Sequence, residues 1–282
     1  MPRRHLFDEP TSRLAVLSRR LALFSLAATI LVIIIVRWGQ LELWPALTAF
    51  AGALAFAVIA LLVALAAFVV IWREGMQGMG HSITAILVAV ALLAYPSYLG
   101  IKAYRLPRIY DVTTDPIDPP RYEALARVRP RDANPIIYAG LSAAELQRTA
   151  YPDIEPLEED ATPQAAYDAA LAVITKRKWA VVDARPPQAG RREGHIEAVA
   201  RTPVMGFRDD VVVRLRPSEG GTRIDIRSSS RYGAFDFGTN AARIRTLLDD
   251  IDDALDTDKT ERPSLPAKKT VAAPKRPQPA RR

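Results

Sequence analysis

Apolar and polar positions divide this chain into two unlike halves. Leu21–Val36, Ala46–Ile71 and Ser82–Ile101 contain no charged side chain, and everything after them is polar or alternating. At a rise of about 1.5 Å per residue these runs reach roughly 24, 39 and 30 Å, against a hydrocarbon core of about 30 Å. Three membrane-spanning helices are therefore predicted, at about 21–36, 46–72 and 82–101. Aromatic residues mark their ends: Trp38 and Trp44 flank the first loop, Trp72 ends the second span, and Tyr95, Tyr98 and Tyr104 mark the exit of the third. Rings with one wet and one apolar end prefer the headgroup layer. No Asp, Glu, Lys, Arg or His lies within the core of a span, which argues against a transport or proton path and for an anchor. Ala53, Ala57, Ala60, Ala64 and Ala67 form a stripe of small residues in the second span. Such a stripe is either a generic alanine-rich surface or a seam for another span, a second copy or another membrane protein.

Beyond the third span the period changes. Prolines are dense across 102–162, so this segment is predicted as an extended collar with short helical turns. One turn is signalled by Ser142-Ala143-Ala144-Glu145, in the form of a capping box. Thr162-Pro163 reads as an N-cap followed by a first-turn proline, opening a helix to about Lys178 with Ala166, Ala169, Ala170, Val173 and Ile174 inward. Four strands are predicted at Trp179–Ala184, Gly194–Arg201, Phe207–Arg216 and Thr222–Arg231, the last two joined by a Ser218–Gly221 hairpin loop. A last helix starts near Thr239 and carries Ile244, Leu247, Leu248, Ile251 and Leu255 as one stripe. The predicted fold is α+β: a three-helix anchor followed, over 163–258, by a two-layer domain with a mainly antiparallel sheet of about four strands and flanking helices. The tail 259–282 is rich in Pro, Ala, Lys and Arg with little apolar bulk, and it is expected to be disordered.

Charge refines the picture. The net charge is +7, yet Lys102–Asp258 holds 26 acidic against 23 basic side chains, so the excess sits in residues 1–20 and in the tail. The high pI is thus no sign of a nucleic-acid-binding face, and none is expected. Arg3, Arg4, Arg13, Arg19 and Arg20 precede the first span and are expected to hold that end in the cytoplasm. Three crossings then place the carboxy-terminal domain on the far side, the periplasm of a bacterial inner (plasma) membrane, although Lys102, Arg105 and Arg108 argue weakly the other way. The chain has no cysteine, which excludes disulfides, thiolate metal sites and cysteine nucleophiles.

Candidate chemistry comes from strand parity. One face of the last two strands carries Asp210, Arg214, Arg216, Arg223, Asp225, Arg227 and Arg231, which reads as a salt-bridged, solvated face. The other carries Val211, Val213, Ile224 and Ile226 and ends in Asp209, Ser228 and Ser230. These three lie near the loop 232–240, with Asp236 and Asn240, and near Arg243 in the last helix. Buried polar groups require partners, so this corner holds either a hydrogen-bond network or a small anion at the helix N-terminus. The candidate set is Asp209, Ser228, Ser230, Arg231, Asp236, Asn240 and Arg243. The three histidines (His5, His81, His195) lack metal-ligand spacing, and no nucleophile elbow or phosphate loop is present, so neither metal nor cofactor is expected.

The segment Arg227-Ser228-Ser229-Ser230-Arg231 with Gly233, Asp236, Gly238, Asn240 and Arg243-Ile244 resembles the hallmark stretch of the domain-of-unknown-function family 1499. Asp209-Asp210-Val211, Trp179 and the entry Asp111-Val112-Thr113-Thr114-Asp115-Pro116 fit the same pattern. The resemblance covers about Tyr110 to Leu255 and leaves the three spans outside. It implies one domain with one shared polar site and brings no established reaction. The function expected is that of a membrane-anchored, extracytoplasmic binding or interaction module, with a small anionic or lipid-headgroup ligand. The alternative is an envelope enzyme, hydrolase-like, using Asp209 or Asp236 as acid/base.

Overall fold

Three helices, α1 (Arg13–Arg37), α2 (Leu43–Glu74) and α3 (Met79–Arg105), open the chain, and each is long and apolar enough to cross a membrane. The computed structural model describes residues 10–39, 43–188 and 193–261, with the side chains of 258–261 left aside. The expectations for Arg3, Arg4 and His5 lie outside these residues, as does the tail from 262 onward. The helices run past the charge-free stretches because charge limits where lipid can sit, while Arg and Leu both remain good helix formers. The segment before α1 pairs with the loop between α2 and α3, Ser12 N–H donating to Gln77 O at 2.8 Å.

The alanine stripe is used within the chain. Ala57, Ala60, Ala64 and Ala67 are fully buried and Ala53 almost so, packed with Ala22 and Ala15 of α1 and Ala85 of α3. Ser25 Oγ donates to Ala53 O at 2.7 Å, a close approach that only small side chains permit. The surface of Ala53, Ala57, Ala60 and Ala64 is therefore covered by the chain's own helices and is not open to a second copy or another membrane protein.

The extramembrane part contains β1 (Asp111–Thr113), α4 (Ala124–Val128), α5 (Leu141–Ala150), β2 (Leu157–Glu159), α6 (Pro163–Lys176), β3 (Ala180–Arg185), β4 (Gly194–Arg201), β5 (Arg208–Ser218), β6 (Gly221–Ser230) and α7 (Thr239–Glu261). It is an α+β domain with a six-stranded antiparallel sheet in the order β1-β6-β5-β4-β3, and β2 also pairs with β6. The four long strands lie where alternation places them. The additional two come from the collar: β1 and β2 lie end to end along β6, with Asp111 opposite Ser229 and Leu157 opposite Ile224. Strands of three residues show no readable period. Gln147 of α5 completes the outer edge of β1 with its side-chain amide, accepting from Thr113 N–H and donating to Thr113 O.

Helix α6 opens as expected, Thr162 Oγ1 accepting from Ala165 N–H behind Pro163. The capping-box reading of Ser142 fails. Helix α5 starts two residues earlier, its N-cap is Gly140, and Ser142 makes no cap hydrogen bond because it already lies inside the first turn.

Helices α6 and α7 cover one face of the sheet. Ile196, Val211, Val213, Leu215, Ile224 and Ile226 meet Ala170, Ile174, Ile244, Leu247 and Ile251 in the main core. The register Val213↔Ile226 and Leu215↔Ile224 confirms the parity that put these side chains together.

The opposite face is not solvated. Asp210, Arg214, Asp225, Arg227 and Arg231 are all buried, because the collar folds across them. Its chain supplies what the guanidinium groups need. Arg227 forms a bidentate pair with Asp111 (3.0 and 2.6 Å), donates to Pro120 O and Ile136 O, and lies between the rings of Tyr122 and Tyr138. Arg214 reaches Asp118 and Asp225. Glu197 accepts from the backbone N–H groups of Glu123, Ala124 and Leu125 at the start of α4. Proline interrupts regular structure in this segment but leaves its carbonyls and carboxylates free to pair with the sheet.

Candidate functional site

The corner predicted from parity forms around α7. Asp209 (β5), Ser228 and Ser230 (β6), Asp236 (the β6–α7 loop) and Asn240 and Arg243 (α7) are all buried. Asn240 is its hub. Its Oδ1 accepts from Ser228 Oγ at 2.8 Å and from Arg243 Nη1 at 2.5 Å, and its Nδ2 donates to Ser230 Oγ and to Tyr110 O. Arg243 also donates from Nη1 to Ser228 Oγ and from Nη2 to Asp209 Oδ2.

Asp236 closes the N-terminus of α7. Its Oδ1 accepts from Gly238 N–H at 2.9 Å and its Oδ2 from Asn240 N–H at 2.8 Å. Of the two alternatives for this helix start, the hydrogen-bond network is the one formed at the Gly238 and Asn240 amides, which a side chain of the protein itself engages. Burial pushes the Asp236 carboxyl above its ordinary range, against the opposing pull of those two amides. Burial also pushes the Tyr151 phenol up to about 12, with Asp236 adding to the effect. The turn needs Gly238: its φ is +74°, and a Cβ there would meet Leu106 Cδ1 at 2.9 Å.

Arg231 is not brought to this corner. It points to the other side of the sheet, where its Nε donates to Asp210 Oδ1 at 2.8 Å, and Arg129 approaches the same carboxylate at 3.2 Å. Within the corner both carboxylates, Asp209 and Asp236, are engaged by donors of the protein.

A cavity of about 320 Å³ adjoins the corner. Asp209, Ser230, Asp236 and Thr239 form its domain side, and Leu47 and Phe50 of α2 and Tyr95 and Leu99 of α3 form its membrane side. The loop 202–207, with Val204, Met205 and Phe207, closes a third wall. Sequence reasoning found the polar side and missed the apolar one. No local pattern marks it, since it arises where segments more than a hundred positions apart meet.

A second cluster was also hidden. The β3–β4 register places Asp183 opposite Glu197, and His195 joins them on the same face. Their ligand atoms lie within 4.8 Å of one another. The donor set fits a closed network better than a metal ion. Glu197 takes three amide donors and His195 Nε2 at 2.9 Å, and Asp183 pairs with Arg185 at 2.6 Å. Burial alone would raise Glu197, but His195 and the three amides outweigh it and hold the carboxyl at about 2.

Together these features define an α+β domain that follows three helices long and apolar enough to cross a membrane, with a polar corner beside a cavity at the ends of those helices. Residues 111–251, half of the chain, match the family described as "Protein of unknown function (DUF1499)", and the chain belongs to that family. No curated protein gave a match.

Proposed function

We propose that this protein is a non-catalytic multi-pass membrane protein that holds a lipid-like amphiphile between its helices and its α+β domain. The observation that supports this reading is the mixed lining of the cavity, with side chains of α2 and α3 on one side and the polar corner on the other. Its volume of about 320 Å³ lies at the lower end of the range for small-molecule sites, about 300–1,000 Å³. An acyl chain can rest against Leu47, Phe50 and Leu99 without leaving an apolar environment, while the polar end meets Ser230 and Thr239. The network of Asn240 and Arg243 keeps this polar wall in one arrangement. The helices anchor the site at the bilayer, with the amino terminus in the cytoplasm and the domain on the far side of the plasma membrane.

The test is mass spectrometry of the full-length protein released from detergent or nanodiscs, with the retained lipid identified. Leu47→Trp and Leu99→Trp, which fill the apolar side, are expected to lower the retained lipid severalfold while the melting temperature holds. Equal retention in both variants, or no retention by the unmodified protein, would overturn the reading. Alkaline phosphatase fused after Asp258 tests the orientation: activity is expected, and a silent fusion would reverse it.

A further inference from the structure

We infer that Arg37, Arg201 and Arg208 form a receptor for the phosphate of an anionic membrane phospholipid whose chain enters the cavity, an inference that rests on the lipid-holding reading above. The β4–β5 register sets Arg201 directly opposite Arg208. Like charges opposed across an antiparallel pair are destabilising unless something neutralises them. Helix α1 adds a third cation at the same place: Arg37 Nη1 donates to Pro203 O at 2.6 Å and to Val204 O at 3.2 Å, and Arg201 Nη1 donates to Arg37 O at 3.2 Å.

All three side chains are exposed, and among the described residues no carboxylate pairs with any of them. The buried arginines of the domain differ, since Arg214, Arg227, Arg231 and Arg243 each reach a carboxylate. Three cations that converge with no carboxylate partner among the described residues favour an anion from outside.

Position identifies the source. Arg37 ends α1 next to Trp38, which is 77% exposed, and Trp44 on the first turn of α2 is 72% exposed. Exposed indoles at helix ends mark the headgroup layer, where phospholipid phosphates lie. Arg208 itself lines the cavity with Leu43, Leu47 and Leu99, so one molecule can place its phosphate on the arginines and its chain against the helices. Guanidinium forks match phosphate oxygens in pairs. An acidic protein segment is the less fitting occupant, because it offers nothing for the apolar side of the cavity.

The experiment equilibrates full-length protein in nanodiscs of equimolar phosphatidylglycerol and phosphatidylcholine with identical chains, and compares the lipids retained after transfer to detergent. Enrichment of phosphatidylglycerol is expected, falling by about fivefold for each of Arg208→Gln and Arg201→Gln and largely preserved in Arg208→Lys. Melting temperatures of the variants serve as the folding control, and Arg208, whose side chain has no hydrogen-bond or ion-pair partner among the described residues, is the first choice. Retention of both lipids without preference, or an unchanged preference in both glutamine variants, overturns the arginine receptor and leaves the cavity reading intact. No retained lipid at all overturns both. Displacement of the lipid by millimolar inorganic phosphate assigns the arginines to a soluble anion and overturns the lipid source.

Discussion

The two faces of the sheet are held by opposite chemistry. Toward α6 and α7, Val211, Val213, Ile224 and Ile226 pack against aliphatic side chains. Toward the collar, Asp210, Arg214, Asp225 and Arg227 are just as buried, but each is matched by an opposite charge or a carbonyl. The apolar face needs only volume and shape. The charged face needs each partner at a defined atom, because an ion taken from water loses several kcal/mol (about that much per ion) unless its donors and acceptors are replaced. The first face therefore tolerates conservative change, and the second does not.

The largest expected effect breaks the charged face. Arg227→Ala leaves Asp111 buried without its partner and should cost about 3–5 kcal/mol in chemical unfolding of the full-length protein in detergent. Replacing both, Asp111→Leu with Arg227→Met, should recover most of that loss, because the penalty lies in the stranded charge. A double variant as unstable as the single one would contradict this.

Acid provides a second, graded test of the same face. The folded Glu197 carboxyl titrates at about 2 against an ordinary 4.5, so its stabilisation is complete above 4.5 and is lost as pH falls toward 2. The loss should be on the order of 3 kcal/mol. Melting curves taken from pH 6 to pH 3 should decline below about pH 4.5, and Glu197→Gln should flatten that decline while lowering the plateau.

The apolar face gives a smaller response. Ile226→Val removes one methylene from a fully buried site and should cost about 0.5–1.5 kcal/mol, with no dependence on pH. The smallest effect is expected outside both faces. Arg245 pairs with Asp153, whose carboxyl it holds below the usual range, but both side chains are substantially exposed. Arg245→Ala should change stability by less than about 1 kcal/mol, and added salt should shrink the difference further. A large loss there would mean that the stacking of Arg245 over Tyr151 matters more than the ion pair.

How far the sequence could be read follows the same division. The inward corner was legible because parity alone aligns Asp209 with Ser230 and Val211 with Ser228, and α7 begins at Thr239 as its pattern indicates. Arg231 was counted with the corner against its own parity, since alternation places it with Asp225 and Arg227 on the outward face, and there it pairs with Asp210. The collar cover was invisible because Glu123, Ala124 and Leu125 belong to a segment without period, and nothing local announces that Glu197 accepts their amides. The same holds for the cavity and for the convergence of Arg37 with Arg201 and Arg208, which lie on separate elements.

By itself the sequence determined the elements that depend on period and composition: three helices fit for a bilayer, the long strands, the inward corner and the helix stripes. Burial of an apolar side chain is non-directional, so its pattern along the chain suffices to assign it a side. Tertiary structure alone decided which charges are buried, which helix covers the alanine stripe, and where a cavity opens at the helix ends. Pairing of ions and closure of a cavity depend on distances between segments remote in sequence, and those distances exist only once the chain has folded.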